Sequence, residues 1–151
     1  MLSGGEVPKS VEPLTLMMSD SDYPVDGLPT PDPELGPGEA VARQLEALAN
    51  NDDPFEDAGV STAYNFASPA NRRVTGPRER FVEMVHGPQY RPMIDHKEAV
   101  AGPVERSANV ARQRVTVTGP RGRTVTYSFG LSLQSTGQFR DCWTTDRVVV
   151  D

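Results

Sequence analysis

The sequence predicts an α+β domain, with N-terminal helices packed on a strongly curved antiparallel sheet of about four strands. Three observations carry that expectation. Apolar residues recur at helical spacing between positions 37 and 87. From Asp95 onward the apolar period shifts toward two. The strand candidates are joined by turns at 119–122 and 135–138, too short for the crossovers that parallel strands need. Helices first and hairpin strands afterwards place the helices on one face of the sheet. A strongly twisted sheet of this kind encloses a hollow against them.

Residues 1–36 read as a disordered, acidic, proline-rich tail. Pro8, Pro13, Pro24, Pro29, Pro31 and Pro33 break any helix, and seven acids accompany them. Met17 and Met18 precede Ser19-Asp-Ser-Asp22 and are candidate translation starts beside Met1. Residues 37–151 read as one domain.

The first helix starts at Gly36-Pro37-Gly38, with Pro in the first turn. Val41, Leu45 and Leu48 form its stripe, and Asn50-Asn51 ends it. A second helix is predicted from Asp53-Pro54, with Asp as cap and Phe55, Val60, Ala63, Tyr64 and Ala67 inward. Gly59 inside it implies close packing on the first helix. Ser68-Pro69 caps a short turn through Asn71. Gly76-Pro77 opens a third helix, with Phe81, Val82 and Val85 on one face and Gly87-Pro88 beyond it. Strands are predicted over 96–105, interrupted at Gly102-Pro103, then over 110–118, 123–134 and 139–148. The third is the clearest. Val125, Tyr127, Phe129, Leu131 and Leu133 alternate with Thr124, Thr126, Ser128, Gly130 and Ser132.

Composition narrows the function classes. The formal net charge is -6, unevenly spread. Residues 1–57 carry thirteen acids against two bases, and residues 58–151 thirteen bases against eight acids. Arginine over lysine with abundant acid points to a GC-rich or salt-adapted source. The single cysteine forbids an intrachain disulfide. No apolar run reaches the roughly 20 residues of a membrane span, and no signal peptide is legible. A cytoplasmic protein is expected, with no membrane partner. No His-x-His or Cys-x-x-Cys spacing offers a metal site, and no Gly-rich loop cradles a phosphate, so neither metal nor cofactor is expected. The arginines at 72, 73, 78, 112, 114, 121 and 123 follow no nucleic-acid-binding motif, and nucleic acid is not an expected partner.

Phe66-Ala-Ser-Pro-Ala-Asn-Arg72, Thr75-Gly-Pro77, Phe81 with Met84, and Cys142-Trp-Thr-Thr-Asp146 together resemble the uncharacterised family called domain of unknown function 4864. The resemblance covers roughly residues 38–149. That family is similar to the nuclear-transport-factor-2-like cone fold, shared with polyketide cyclases and ketosteroid isomerases. The resemblance implies a curved sheet around a helix-lined pocket, often dimeric. It implies no activity and no catalytic residue.

The candidate pocket residues are Tyr64, Tyr90, His96, Tyr127, Asp141 and Trp143. Asp141 shares the parity of Phe139 and Trp143, and a carboxylate on an apolar face has a raised pKa unless it is paired. His96 faces either the hollow or solvent, while His86 suits the negative end of the third helix. The tyrosines offer hydroxyl donors or simply satisfy backbone groups. Cys142, beside Trp143, reads as a packed thiol. Three functions compete. In the first, a non-enzymatic domain binds a small apolar or amphipathic ligand, or a protein partner, in the hollow. In the second, an isomerase-, cyclase- or dehydratase-like enzyme uses Asp141 or His96 as general base and a tyrosine hydroxyl as donor. In the third, the outer sheet face of Thr124, Thr126, Ser128 and Ser132 builds a homodimer.

Overall fold

A computed structural model describes residues 23–151. The expected tail over 1–22 and the candidate starts Met17 and Met18 lie outside the described residues. Among the described residues, four helices precede four strands: α1 (Pro37–Ala49), α2 (Ala58–Phe66), α3 (Pro69–Thr75) and α4 (Arg78–Val85), then β1 (Glu98–Ser107), β2 (Val110–Thr118), β3 (Thr124–Leu133) and β4 (Trp143–Val150). A 3-10 turn, Arg91–Met93, joins the layers. The sheet is an antiparallel meander in the order β1-β2-β3-β4. The α+β class and the antiparallel sheet thus stand as read.

Strong curvature does not. The sheet is not strongly curled. Curvature comes from bulges, which bend a strand and raise its twist. The central pair β2–β3 runs without one, from Val110 opposite Ser132 to Thr118 opposite Thr124. The register shifts fall outside it, between Ala101 and Val104 on β1 and between Gly130 and Leu131 where β3 meets β4.

One face of β2 and β3 is dry. Val115, Val117, Tyr127, Phe129 and Leu131 are each at most 2 % exposed and meet Val41, Leu45, Leu48, Val60 and Phe66 from the helices. Gly59 explains how closely α1 and α2 approach, because a Cβ there would lie 2.4 Å from the Ala47 carbonyl oxygen.

The second helix starts four residues later than Asp53-Pro54 implies. Asn51 is the reason. It is buried, its carbonyl accepts from Gly59 N–H at 2.8 Å and its Oδ1 from Val60 N–H at 2.9 Å. Those donors belong to the first turn of α2, so a residue outside the helix caps it. Phe55, expected inward, is 41 % exposed on the intervening loop. The turn at Ser68-Pro69 continues into α3, capped by Ser68 Oγ accepting from Asn71 N–H. The last strand begins at Trp143, because Asp141 takes a left-handed backbone (φ 67) and turns the chain before it.

Residues 23–36, expected within the tail, pack on α2. Val25 N–H and carbonyl both bond the buried Asn65 amide, and Tyr23 Oη donates to Asn65 O.

Candidate functional site

A cavity of about 440 Å³ opens between the helices and the β4 end of the sheet. That is within the roughly 300–1,000 Å³ usual for small-molecule sites. Its back wall is Leu48 of α1, Ala63 of α2, Phe81 and Val85 of α4, Met93 and Phe129. Its front wall is the face of α3 that carries Ala70, Asn71, Val74 and Thr75. Residues 145–149 of β4 form the floor. The mouth is apolar, with Val74 86 %, Met84 38 % and Val149 43 % exposed. Exposed apolar side chains clustered at the rim of a cavity mark a binding surface more often than chance exposure does.

Two of the polar lining residues, Gln44 and Asn71, converge on Thr145. Its carbonyl accepts from Ser68 N–H at 2.8 Å and from Asn71 Nδ2 at 3.1 Å. Its hydroxyl accepts from Gln44 Nε2 at 2.9 Å, and that nitrogen also donates to Ala40 O. Both amide hydrogens of Gln44 are therefore committed, and Oε1 is the atom left for a guest. The Ser-Pro-Ala-Asn and Cys-Trp-Thr-Thr-Asp segments, far apart in sequence, meet here. They fasten α3 to β4 and so set the width of the hollow.

Of the six candidate pocket residues, Tyr90 alone lines this cavity. Its hydroxyl donates to Val148 O at 2.7 Å, and burial pushes its pKa up. Tyr127 stacks on Tyr90 with ring centroids 6.0 Å apart and donates to Gln89 O at 2.8 Å. Burial pushes its pKa up to about 12, with Arg123 opposing and Tyr90 adding to the rise. Tyr64 is buried between Tyr23 and Phe81 and borders a different cleft, behind α3. His96 is buried with Nδ1 2.8 Å from Met93 O, outside the hollow. Asp141 is exposed in the turn before β4, also outside it. Trp143 is buried in the core with the Arg106 guanidinium 4.9 Å above its ring. Cys142 is a buried free thiol whose pKa burial pushes up, with Asp32 and Asp141 adding to it, so it is a poor nucleophile.

His86 has a sharper role than a helix-end charge. Its Nε2 lies 2.7 Å from Asp57 Oδ1, tying the end of α4 to the start of α2. Asp146 borders the hollow, but its Oδ1 accepts from Ser132 Oγ in the sheet.

Gln44 escaped the sequence reading although a signal existed. It sits at the fourth position of the Val41, Leu45 and Leu48 stripe, a polar side chain on an apolar face. Among the described residues, no group of three or more His, Cys, Asp or Glu could hold a metal ion, and no helix is long and apolar enough to cross a membrane.

A helical layer on an antiparallel meander, with an apolar hollow between them, defines an α+β pocket domain. The family model described as "Domain of unknown function (DUF4864)" matches residues 38–147, and the chain belongs to that family. No curated protein and no solved structure matches it.

Proposed function

We propose that this is a non-enzymatic binding domain of nuclear-transport-factor-2-like design. It takes a small apolar or amphipathic ligand into the hollow between α3, α4 and β4. The observation that carries the reading is the cavity itself: Leu48, Phe81, Val85, Met93 and Phe129 wall it, and Gln44 stands at its polar point. A guest would bury its apolar body and place one donor on Gln44 Oε1.

The same geometry weighs against the isomerase-like reading. Acid–base work needs a titratable group within hydrogen-bond reach of the substrate. Asp141 is exposed elsewhere and His96 is held on a backbone carbonyl. The hydroxyls of Tyr23, Tyr90 and Tyr127 all donate to backbone carbonyls, so none is free to stabilise an oxyanion as a donor.

A neutral fluorescent probe, N-phenyl-1-naphthylamine, tests the proposal. Saturable one-to-one binding is expected, with a dissociation constant of roughly 0.2 mM, since about 0.3 kcal/mol for each of about 17 heavy atoms gives about 5 kcal/mol. Ala70→Trp, on the exposed front wall, should fill the mouth and weaken binding at least about tenfold with little change in stability. Equal binding by wild type and Ala70→Trp would sink the proposal.

A further inference from the structure

α3 has a second working face. Ala70, Asn71, Val74 and Thr75 look into the hollow, whereas Pro69, Arg72, Arg73 and Gly76 line a separate cleft of about 700 Å³ behind it. Tyr23, Tyr64, Pro77 and Gln138 complete that cleft. Two arginines and no acid line it among the described residues, in a chain whose net charge is -6.

Arg72 is the unusual member. Its guanidinium carbon lies 3.4 Å from the centre of the Tyr23 ring. Among the described residues its Nε is buried and meets no hydrogen-bond acceptor, so the donors that Arg72 can offer to the cleft are its Nη groups. No carboxylate pairs with Arg72 among the described residues, whereas Arg112 and Arg114 each have one at 2.8 Å and 2.7 Å. A charged donor out of water without an acceptor is costly. The ring beneath fixes the plane of the fork, so it is held ready in one orientation. A planar fork of N–H donors matches the paired oxygens of a carboxylate or phosphate. Arg78 does not share this role, because its Nη1 donates to Ser61 Oγ.

We propose that the cleft behind α3 is an oxyanion-binding site, with Arg72 supplying the oriented donors and Arg73 the second positive charge. Its ligand is a small molecule bearing a carboxylate or a phosphate, and the aromatic and proline walls take whatever apolar part the anion carries. The site is independent of the hollow, since the two cavities share no lining residue.

The test is a titration of the full-length chain with inorganic phosphate and, separately, with benzoate. Ionic strength is held constant with chloride. The readouts are the Arg72 Nε–H resonance and the Gly76 amide in nitrogen–proton correlation spectra. A saturable shift of both is expected with at least one probe, and the tighter of the two identifies the anion class. Arg72→Gln should weaken binding roughly tenfold, and Arg73→Gln, a substitution of an exposed side chain, by roughly threefold. Arg72→Lys keeps the charge but not the fork, and should bind much like Arg72→Gln. Binding of N-phenyl-1-naphthylamine is measured in each variant. It should be unchanged, which separates this site from the hollow and shows that the variants fold. A response that never saturates with either probe would overturn the proposal. So would equal saturation in wild type, Arg72→Gln and Arg73→Gln.

Discussion

The back and front walls of the hollow are held by different forces. The back is a packed core: α1, α2 and the sheet meet through Val41, Leu45, Val60, Phe66 and Phe129, all at most 7 % exposed. The front is α3, which buries no residue at all. It stays in place through Ser68 N–H and Asn71 Nδ2 on one carbonyl of β4, and through the Ala67–Thr145 bridge. Burial of apolar area is non-directional and grows with contact, whereas a hydrogen bond contributes only about 0.5–1.5 kcal/mol net. The difference teaches that the cavity persists because its front wall does not need to collapse onto the core to be held. It also makes α3 the element able to move without unfolding the rest.

The largest expected effect breaks the back wall. Gly59→Ala places a methyl group 2.4 Å from the Ala47 carbonyl oxygen, a backbone atom that cannot rotate away. The gain of roughly 1 kcal/mol in helix propensity is outweighed by the forced separation of α1 and α2. A net loss of about 2–3 kcal/mol is expected, read as a lower urea midpoint at unchanged slope. An unchanged midpoint would mean that the two helices are less tightly joined than the front wall is.

Asn71→Ala should act on the front wall alone. It removes the donor to Thr145 O but leaves the Ser68 cap and every back-wall contact. Global stability should fall by no more than about 1 kcal/mol, offset in part by the better helix propensity of Ala. Amide exchange in α3 should quicken roughly fivefold while α1 and α2 keep their protection. Equal quickening in α1 and α2 would show that both walls belong to one cooperative unit, and the contrast between them would be lost.

What the sequence disclosed follows the same division. The back wall rests on periodic apolar residues, and periodicity is a local signal. The alternation of Tyr127, Phe129 and Leu131 and the stripe of Val41, Leu45 and Leu48 each name a buried face directly. Gly59 announced close packing for the same reason. The site was much less legible. Thr145, Gln44 and Asn71 meet only after the chain has returned across some hundred residues, and no spacing records that. Asp141 misled because strand parity was carried through a residue with φ 67, where alternation stops. The sheet's curvature misled because it was taken from the twist expected of hairpin-connected strands and not from bulges. The start of α2 was misplaced because Asn51, the group that caps it, lies outside the helix it serves.

The smallest expected effect concerns the seam within the back wall where α2 meets α4. Burial pushes the Asp57 carboxyl up, but the Asn51 amide, the His86 ring and Arg78 together outweigh it. The group titrates below the ordinary aspartate range. A folded-state pKa depressed in this way contributes stability that is complete above the unfolded aspartate value, about 4. That contribution is lost as the pH falls through the folded value. Wild type should therefore exceed Asp57→Asn in urea midpoint near neutrality, and the difference should shrink on acidification below about pH 4. The advantage should stay under about 1 kcal/mol, because the His86 side chain is 41 % exposed and water screens the pair. A midpoint difference that does not change with pH would mean that Asn51 alone holds the start of α2 and that the bond to His86 adds nothing to the seam.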